Sequence, residues 1–175
     1  MRDGRASELG GFFRAAARGG AALAVAVLTA AGPARATDAG LGFAFDVTLS
    51  PDAAAKLEAA QEGITVWASF YGEPSREGEK HVDEMGLIDL GVETLYLPGE
   101  AATVQITARE VDPAKLKWIK GPANVNVNVY TSRKSSEYNL IDCDLIDGDV
   151  KKLQAMKVTV RCWLIGESHD GKTYP

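Results

Sequence analysis

Apolar and polar residues alternate along several short segments of this chain. In the clearest, 123–131, alanine and valines alternate with three asparagines. Side chains on a strand point alternately to its two faces, so this period predicts β-strands with one buried face. The same period recurs in six further segments: 41–49, 64–71, 87–97 with a bulge expected at Gly91, 103–109, 138–146 and 157–165.

Helix signals are few and short. Ser50, Pro51 and Asp52 form an N-cap, a first-turn proline and a first-turn acid before an alanine-rich run, which predicts a helix over 53–61. A second short helix is predicted over 150–156, and a helical turn after Asp112. No long helices alternate with the strands, so a parallel α/β sheet is not expected.

These elements predict a mainly-β fold, an antiparallel two-sheet β-sandwich of the immunoglobulin-like or prealbumin-like kind. One or two short helices would lie in its connections, and a small barrel is the second interpretation. We place the domain at 37–166, followed by a flexible polar tail at 167–175.

The first 36 residues carry the features of a secretory signal peptide. A net-positive segment (1–20) precedes the apolar run 21–31, and Ala34-Arg35-Ala36 supplies a small-residue cleavage site. The run is about half the ~20 residues that a transmembrane helix needs. We therefore predict cleavage after Ala36, export by the general secretory route to the periplasm or medium, and no integral membrane segment in the mature chain.

Charge narrows the classes of partner. The leader holds five of the 19 basic and two of the 24 acidic residues, leaving 14 basic and 22 acidic residues and a net charge of −8. Repulsion from phosphates argues against nucleic acid, and the absence of a basic cluster argues against anionic lipid. A protein or polysaccharide of the cell envelope is the expected partner, and the sequence predicts no oligomeric state.

The two cysteines, Cys143 and Cys162, permit one disulfide. An even pair in an oxidising compartment favours a structural bridge over a metal or redox pair. Both share the parity of apolar neighbours, so both are expected to face inward.

The acidic stretch 142–149 is a weaker, alternative candidate site. Carboxylates around a glycine are ligands that calcium prefers, and the stretch offers the four acids Asp142, Asp144, Asp147 and Asp149. Leu153 stands where an EF-hand would need its last acid, so the EF-hand match fails. An acidic hairpin end serving a turn is the preferred interpretation, so no cofactor is predicted, and calcium is a secondary hypothesis.

Catalytic motifs give little support for an enzyme. His81 lies in a long polar loop, 72–86, beside carboxylates and a methionine, and is a weak metal-ligand candidate. The chain has no G-x-S-x-G elbow, and its other histidine, His169, lies in the predicted tail. We therefore predict a non-catalytic protein and retain a small secreted hydrolase as the third hypothesis.

The asparagine row of 123–131 is the candidate binding face. Asn124, Asn126, Asn128 and the following Tyr130 share one face of the strand, and amides both donate and accept hydrogen bonds. If the outward-facing aromatics of 64–71 lie beside the row, an aromatic and amide platform results. The sequence thus predicts an exported, non-catalytic binding module, with divalent-cation binding at 142–149 as the alternative.

Overall fold

The computed structural model of the protein describes residues 40–175. The predicted leader, residues 1–36, lies outside them. The strands are β1 (Phe43–Leu49), β2 (Gly63–Pro74), β3 (Ile88–Pro98), β4 (Ala102–Ile106), β5 (Ile119–Thr131), β6 (Ile141–Cys143), β7 (Leu145–Asp149), β8 (Thr159–Leu164) and β9 (Thr173–Tyr174). The helices are α1 (Pro51–Ala60) and α2 (Val150–Gln154), with 3₁₀ turns at Glu79–His81 and Pro113–Trp118.

The strands form two sheets, which confirms the predicted β-sandwich. One sheet has the order β4-β1-β8-β6, and the other has the order β3-β2-β5-β7-β9. Most neighbouring strands are antiparallel, but β1 pairs with β8, and β7 with β9, in parallel. Alternation along a strand predicts which face is buried but not the direction of the neighbouring strand, so the parallel pairs were not foreseen.

The core lies between the sheets and is built from the apolar half of each alternating strand. On β5, Val125 and Val127 are buried, and Asn126 between them points outward. On β1, Phe45 and Val47 are buried in the same way. The two-residue period therefore predicted the inward faces of these strands correctly.

Helix α1 begins as its sequence predicts. The Ser50 hydroxyl accepts a hydrogen bond from the Ala53 amide at 3.1 Å, and Pro51 occupies the first turn. The helix ends at Ala60, and the capping residue Gln61 that follows has a left-handed backbone. Ala53 and Leu57 are its buried residues, so α1 covers one end of the core.

The predicted bulge in the third strand is present. Gly91 has φ of +138°, and the pairing of β2 with β3 shifts register beside it. A Cβ at this position would lie 2.3 Å from the Glu110 carbonyl oxygen, so a side chain has no room there. The glycine allows the segment at Glu110 and Val111 to pack closely against β3.

The segment 138–146, predicted as one strand, is divided between the two sheets. β6 belongs to the four-stranded sheet and β7 to the five-stranded sheet, and Asp144 is the single residue between them. Its buried carboxylate accepts hydrogen bonds from the Arg161 and Lys172 amides and from the Arg161 guanidinium. A polar residue at this point satisfies the backbone groups that the change of sheet leaves unpaired.

The polar tail, which we expected to be a flexible extension, packs against the domain. Its last residues form β9 along β7, and the Tyr174 side chain is buried. The Leu145 amide donates to the Lys172 carbonyl at 2.8 Å, and the Tyr174 hydroxyl donates to the Thr159 carbonyl at 2.7 Å. One buried aromatic residue and these hydrogen bonds hold the segment, which its polar composition did not indicate.

Candidate functional site

The outward residues of β2 and β5 form one continuous surface. Trp67 lies opposite Asn128 in the strand register, and Tyr71 lies opposite Asn124. On the other side of β5, Asn126 lies opposite Asp147 of β7. The aromatics of β2 thus adjoin the asparagine row. We call this surface the amide–aromatic face and define it by Trp67, Tyr71, Asn124, Asn126, Asn128, Tyr130 and Asp147.

Hydrogen bonds order this face across three strands. The Tyr71 hydroxyl donates to Asp147 Oδ1 at 2.7 Å and so spans β5. Along the row, Asn128 Nδ2 donates to Asn126 Oδ1, also at 2.7 Å. Burial, together with the neighbouring Asp147 carboxylate, raises the pKa of Tyr71 to about 12. The phenol therefore remains neutral and keeps its proton on the shared bond at physiological pH.

The residues that define the amide–aromatic face are almost all uncharged. Its defining residues include no lysine or arginine, and its only charged group is the Asp147 carboxylate. The remaining members offer aromatic rings, amides and hydroxyls, which both donate and accept hydrogen bonds. This chemistry suits ligands that carry many neutral polar groups better than it suits polyanions.

A cleft opens at one end of the face. β5 pairs with β7 only as far as Val127, because the chain preceding β7 leaves for the other sheet as β6. The resulting fork borders an open cleft of about 470 Å³, a volume within the range of small-ligand sites. We call it the fork cleft. It is lined by Trp67, Asn128, Val129, Tyr130, Asn139, Ile141, Asp142, Cys143, Asp144 and Leu145.

Some polar groups of the fork cleft form hydrogen bonds within the chain, and others do not. Asn139 holds the fork together: its Oδ1 accepts from the Thr131 amide at 2.9 Å and its Nδ2 donates to the Ile141 carbonyl at 2.7 Å. Within residues 40–175, by contrast, the Trp67 indole N–H and the Tyr130 hydroxyl have no hydrogen-bond partner. These two groups, with the remaining amide valences of Asn128, are therefore available to a ligand.

The four acids of 142–149 have separate roles and do not converge. Asp144 is buried and paired with Arg161, and Asp147 accepts from Tyr71. Asp149 caps α2 by accepting from the Lys151 amide at 2.8 Å. Asp142 points to the outer side of the four-stranded sheet, where it contacts His169. The expected hairpin end is also absent, since these residues occupy β6, β7 and a helix cap.

The Asp144 carboxylate illustrates why one of these acids is not an open ligand. Burial alone would raise its pKa, but hydrogen bonds from Arg161 and from the Lys172 amide lower the pKa below its usual value. The guanidinium Nε lies 2.9 Å from Asp144 Oδ2. The carboxylate is thus charged and already neutralised by a partner within the chain.

His81 is similarly occupied by a structural contact. Its ring stacks on that of Trp118 with centroids 3.8 Å apart. The neighbouring Asp83 uses its carboxylate to accept from the Met85 and Leu87 amides, which forms a local turn. In the described range, no three side chains among histidine, cysteine, aspartate and glutamate are arranged to hold a metal ion.

The predicted disulfide is confirmed. Cys143 of β6 and Cys162 of β8 are directly opposite one another and joined, with Cα atoms 4.0 Å apart. Cys162 is fully buried, and Cys143 is half-buried at the wall of the fork cleft. The bridge fixes the edge strand β6, which forms the second wall of the cleft.

A larger concavity, of about 590 Å³, lies between α1 and the β3–β4 turn. Glu62, at its side, is buried, and its carboxylate accepts from the amides of Gly63, Lys134 and Ser135 and from the Ser135 hydroxyl. These hydrogen bonds hold the 134–135 loop against the start of β2. We assign this carboxylate to loop attachment rather than to ligand binding.

Sequence reasoning missed a second aromatic cluster on the four-stranded sheet. The His169 ring stacks on Trp163 with centroids 4.0 Å apart, and His169 Nε2 lies 3.1 Å from Asp142 Oδ2. The guanidinium of Arg161 also lies over the Trp163 ring, 5.1 Å from its centroid. The only sequence signal was a histidine beside a short polar tail, which does not reveal where the tail folds.

Two further findings bear on function. Among residues 40–175, no helix is both long and apolar enough to cross a membrane. No protein-family model matches the chain, and neither the curated proteins nor the solved structures provide a match.

Proposed function

We propose that this chain is an exported, non-catalytic binding module that contacts a protein or polysaccharide of the cell envelope through the amide–aromatic face. One observation carries the proposal: Trp67 and Tyr71 stand in register beside Asn128 and Asn124 on the central strands of the larger sheet. The disulfide suits an oxidising compartment such as the periplasm or the extracellular medium.

The composition of the face supports a binding role over a merely solvated one. Asparagine is depleted in strands, yet three asparagines occupy successive outward positions on the central strand β5. Asn126 and Asn128 bond to each other, and no core residue requires either side chain. Residues that are unfavourable for the strand and unused by the core are expected where a surface serves recognition.

The arrangement of carboxylates supports the non-catalytic part of the proposal. Glycoside hydrolysis needs two carboxyl groups about 5–9 Å apart across a substrate. Asp147 is the single carboxylate among the defining residues of the face, and its Oδ1 accepts from Tyr71. The other acids of 142–149 are engaged within the chain: Asp144 pairs with Arg161, Asp142 contacts His169 and Asp149 caps α2. This weighs against the cation-binding and hydrolase alternatives.

Co-sedimentation with isolated bacterial cell envelopes tests the proposal. The wild-type protein should sediment with the envelopes, and the double variant Trp67→Ala/Asn126→Ala should remain largely in the supernatant. Met85→Ala and Thr48→Ala, at exposed positions outside the face, serve as matched controls and should sediment like the wild type. Sedimentation that is equal for all variants, or absent for the wild type, would contradict the proposal.

Pretreating the envelopes separates the two kinds of partner. Binding that survives exhaustive protease digestion indicates a polysaccharide, whereas binding that is lost indicates a protein. In both cases the dependence on Trp67 and Asn126 is what identifies the face.

A further inference from the structure

We propose that the fork cleft is the principal subsite of the module and that it binds a neutral sugar unit of a glycan chain. The inference rests on the proposed function, because the cleft is the end of the amide–aromatic face. It adds a ligand class and the residues that would recognise it: Trp67, Asn128 and Tyr130.

The hydrogen-bonding groups of the cleft match hydroxyl groups. The Trp67 indole is a donor, the Tyr130 hydroxyl donates and accepts, and the Asn128 amide retains one N–H and its carbonyl oxygen. A sugar hydroxyl also donates and accepts, so it satisfies every one of these groups. An apolar ligand would remove these groups from water without bonding to them, which is costly. Such matching therefore favours hydroxylated ligands over apolar ones.

The aromatic groups supply the second requirement. Trp67 and Tyr130 both line the cleft and are only partly exposed, so their rings form apolar surface beside the polar atoms. A pyranose carries C–H groups on the faces of its ring and hydroxyls around its rim. The cleft places aromatic surface and hydrogen-bonding atoms together in the same combination.

The charges around the cleft disfavour anionic and cationic ligands. Among residues 40–175, no lysine or arginine lines the cleft, whereas Asp142 and Asp144 do, so phosphates, sulfates and uronates meet no positive partner there. A cationic group gains little from the two lining carboxylates, because Asp144 is already paired with Arg161 and Asp142 contacts His169. An ammonium nitrogen also offers no acceptor to the Trp67 and Asn128 N–H groups. A neutral sugar bonds to the hydrogen-bonding groups of Trp67, Asn128 and Tyr130 without needing a charged partner.

The size and position of the cleft indicate a chain rather than a single sugar. About 470 Å³ accommodates one or two sugar units. The cleft is continuous with the asparagine row along β5, where Asn126 and Asn124 follow Asn128 at spacings of about 7 Å. Further units of the same chain would extend along this row.

Isothermal titration calorimetry with defined oligosaccharides tests the inference. The probes are neutral hexasaccharides, namely β-1,4-, β-1,3- and α-1,4-linked glucose and N-acetylglucosamine oligomers, with oligogalacturonate as the anionic probe and chitosan oligomers as the cationic probe. The full chain is expressed with its disulfide intact. We expect at least one neutral probe to bind and the charged probes to bind at least about tenfold more weakly.

Variants then locate the site. Trp67→Ala should raise Kd for the neutral probe about tenfold or more, and Asn128→Ala about fivefold. Tyr130→Phe removes only the hydroxyl and should raise Kd about threefold, so it reports on recognition even if a larger truncation disturbs the sheet. Thr48→Ala, on the opposite sheet, should leave Kd unchanged.

Each outcome supports or overturns the inference. Binding of a neutral probe that weakens in all three cleft variants supports it. Preferential binding of a charged probe, or neutral binding that ignores the three residues, overturns it. If envelopes sediment the protein through the amide–aromatic face but no neutral probe binds, the sugar subsite is wrong while the proposed function stands. If neither occurs, both are wrong.

Discussion

Tyr71 and Asp147 are joined across an intervening strand, since the Tyr71 hydroxyl on β2 reaches Asp147 Oδ1 on β7 at 2.7 Å. The two residues are 76 positions apart in the chain, and β5 lies between their strands. The bond thus joins β2 to β7 over β5 on the outer side of the larger sheet. It therefore fixes the two strands on either side of the asparagine row.

This bond makes a direct prediction for the titration of Tyr71. Its pKa, raised to about 12 by burial and by Asp147, should fall toward 10 in Asp147→Asn. A raised folded-state pKa contributes stability that is complete below about pH 10 and is lost as the pH rises toward 12. Carbon-13 NMR of the tyrosine Cζ atoms measures the shift. Asp149→Asn, the neighbouring helix cap, is the control, and a pKa near 12 in Asp147→Asn would refute the assignment.

The Glu62 carboxyl group should make the free energy of unfolding depend on pH in the acid range. Burial raises the pKa of its carboxyl, but hydrogen bonds from Ser135, Lys134 and Gly63 outweigh burial and lower it to about 2. A lowered folded-state pKa contributes stability that is present above about pH 4.5 and is lost as the pH falls toward 2. The contribution is on the order of 3 kcal/mol.

Urea unfolding between pH 6 and 2.5 checks this contribution. Glu62→Gln should be less stable than the wild type at pH 6 and should lose less stability on acidification. The residual dependence on acid reflects Asp144, whose pKa is also lowered. Glu58→Gln, an exposed substitution on α1, should follow the wild-type curve. Parallel curves for Glu62→Gln and the wild type would show that the carboxylate does not act as described.

The disulfide should contribute substantially to stability. Cys143 and Cys162 are 19 residues apart, and closing a loop of this length is worth about 3 kcal/mol in the chain-entropy description. The Cys143→Ser/Cys162→Ser variant should therefore melt about 10 °C lower than the oxidised protein. Calorimetry with and without reductant measures the difference. Reductant should lower the Tm of the wild type but not that of the double variant. An unchanged wild-type Tm would contradict the prediction.

A side chain at Gly148 should displace the C-terminal segment 167–175. A Cβ on Gly148 would lie 2.2 Å from the Pro175 carbonyl carbon, so Gly148→Ala cannot keep the tail in place. We expect faster hydrogen exchange at the amides of Leu145 and Lys172, which bond to the tail and to Asp144. Gly171→Ala, where a Cβ meets nothing within 4 Å, is the matched control. Unchanged protection in Gly148→Ala would indicate that the tail is not held there.

The local features of the fold could be predicted from the sequence, but its long-range contacts could not. The two-residue period at β5 and the Ser50 cap of α1 depend on neighbouring residues, and both were predicted correctly. The change of sheet at Asp144 leaves alternation intact on either side, so no periodic signal marks it. The acids of 142–149 are neighbours in sequence, but alternation and the sheet change send them to different surfaces.

The candidate site shows the same limit. The asparagine row is evident from the sequence, whereas its position beside Trp67 depends on the register between β2 and β5. A shift of one residue would have turned the aromatic side chains to the other face. The fork cleft depends further on where β7 separates from β5, which is a property of the assembled sheets.

Hydroxyl-radical footprinting of the protein bound to cell envelopes tests the central claim most directly. The amide–aromatic face predicts that bound protein is protected from oxidation at Trp67, Tyr71 and Tyr130. Exposed Met85 and Tyr138, which lie outside the face, should be oxidised equally in the free and bound protein. Protection confined to Met85 or Tyr138, or equal oxidation of Trp67, Tyr71 and Tyr130 in both states, would contradict the account.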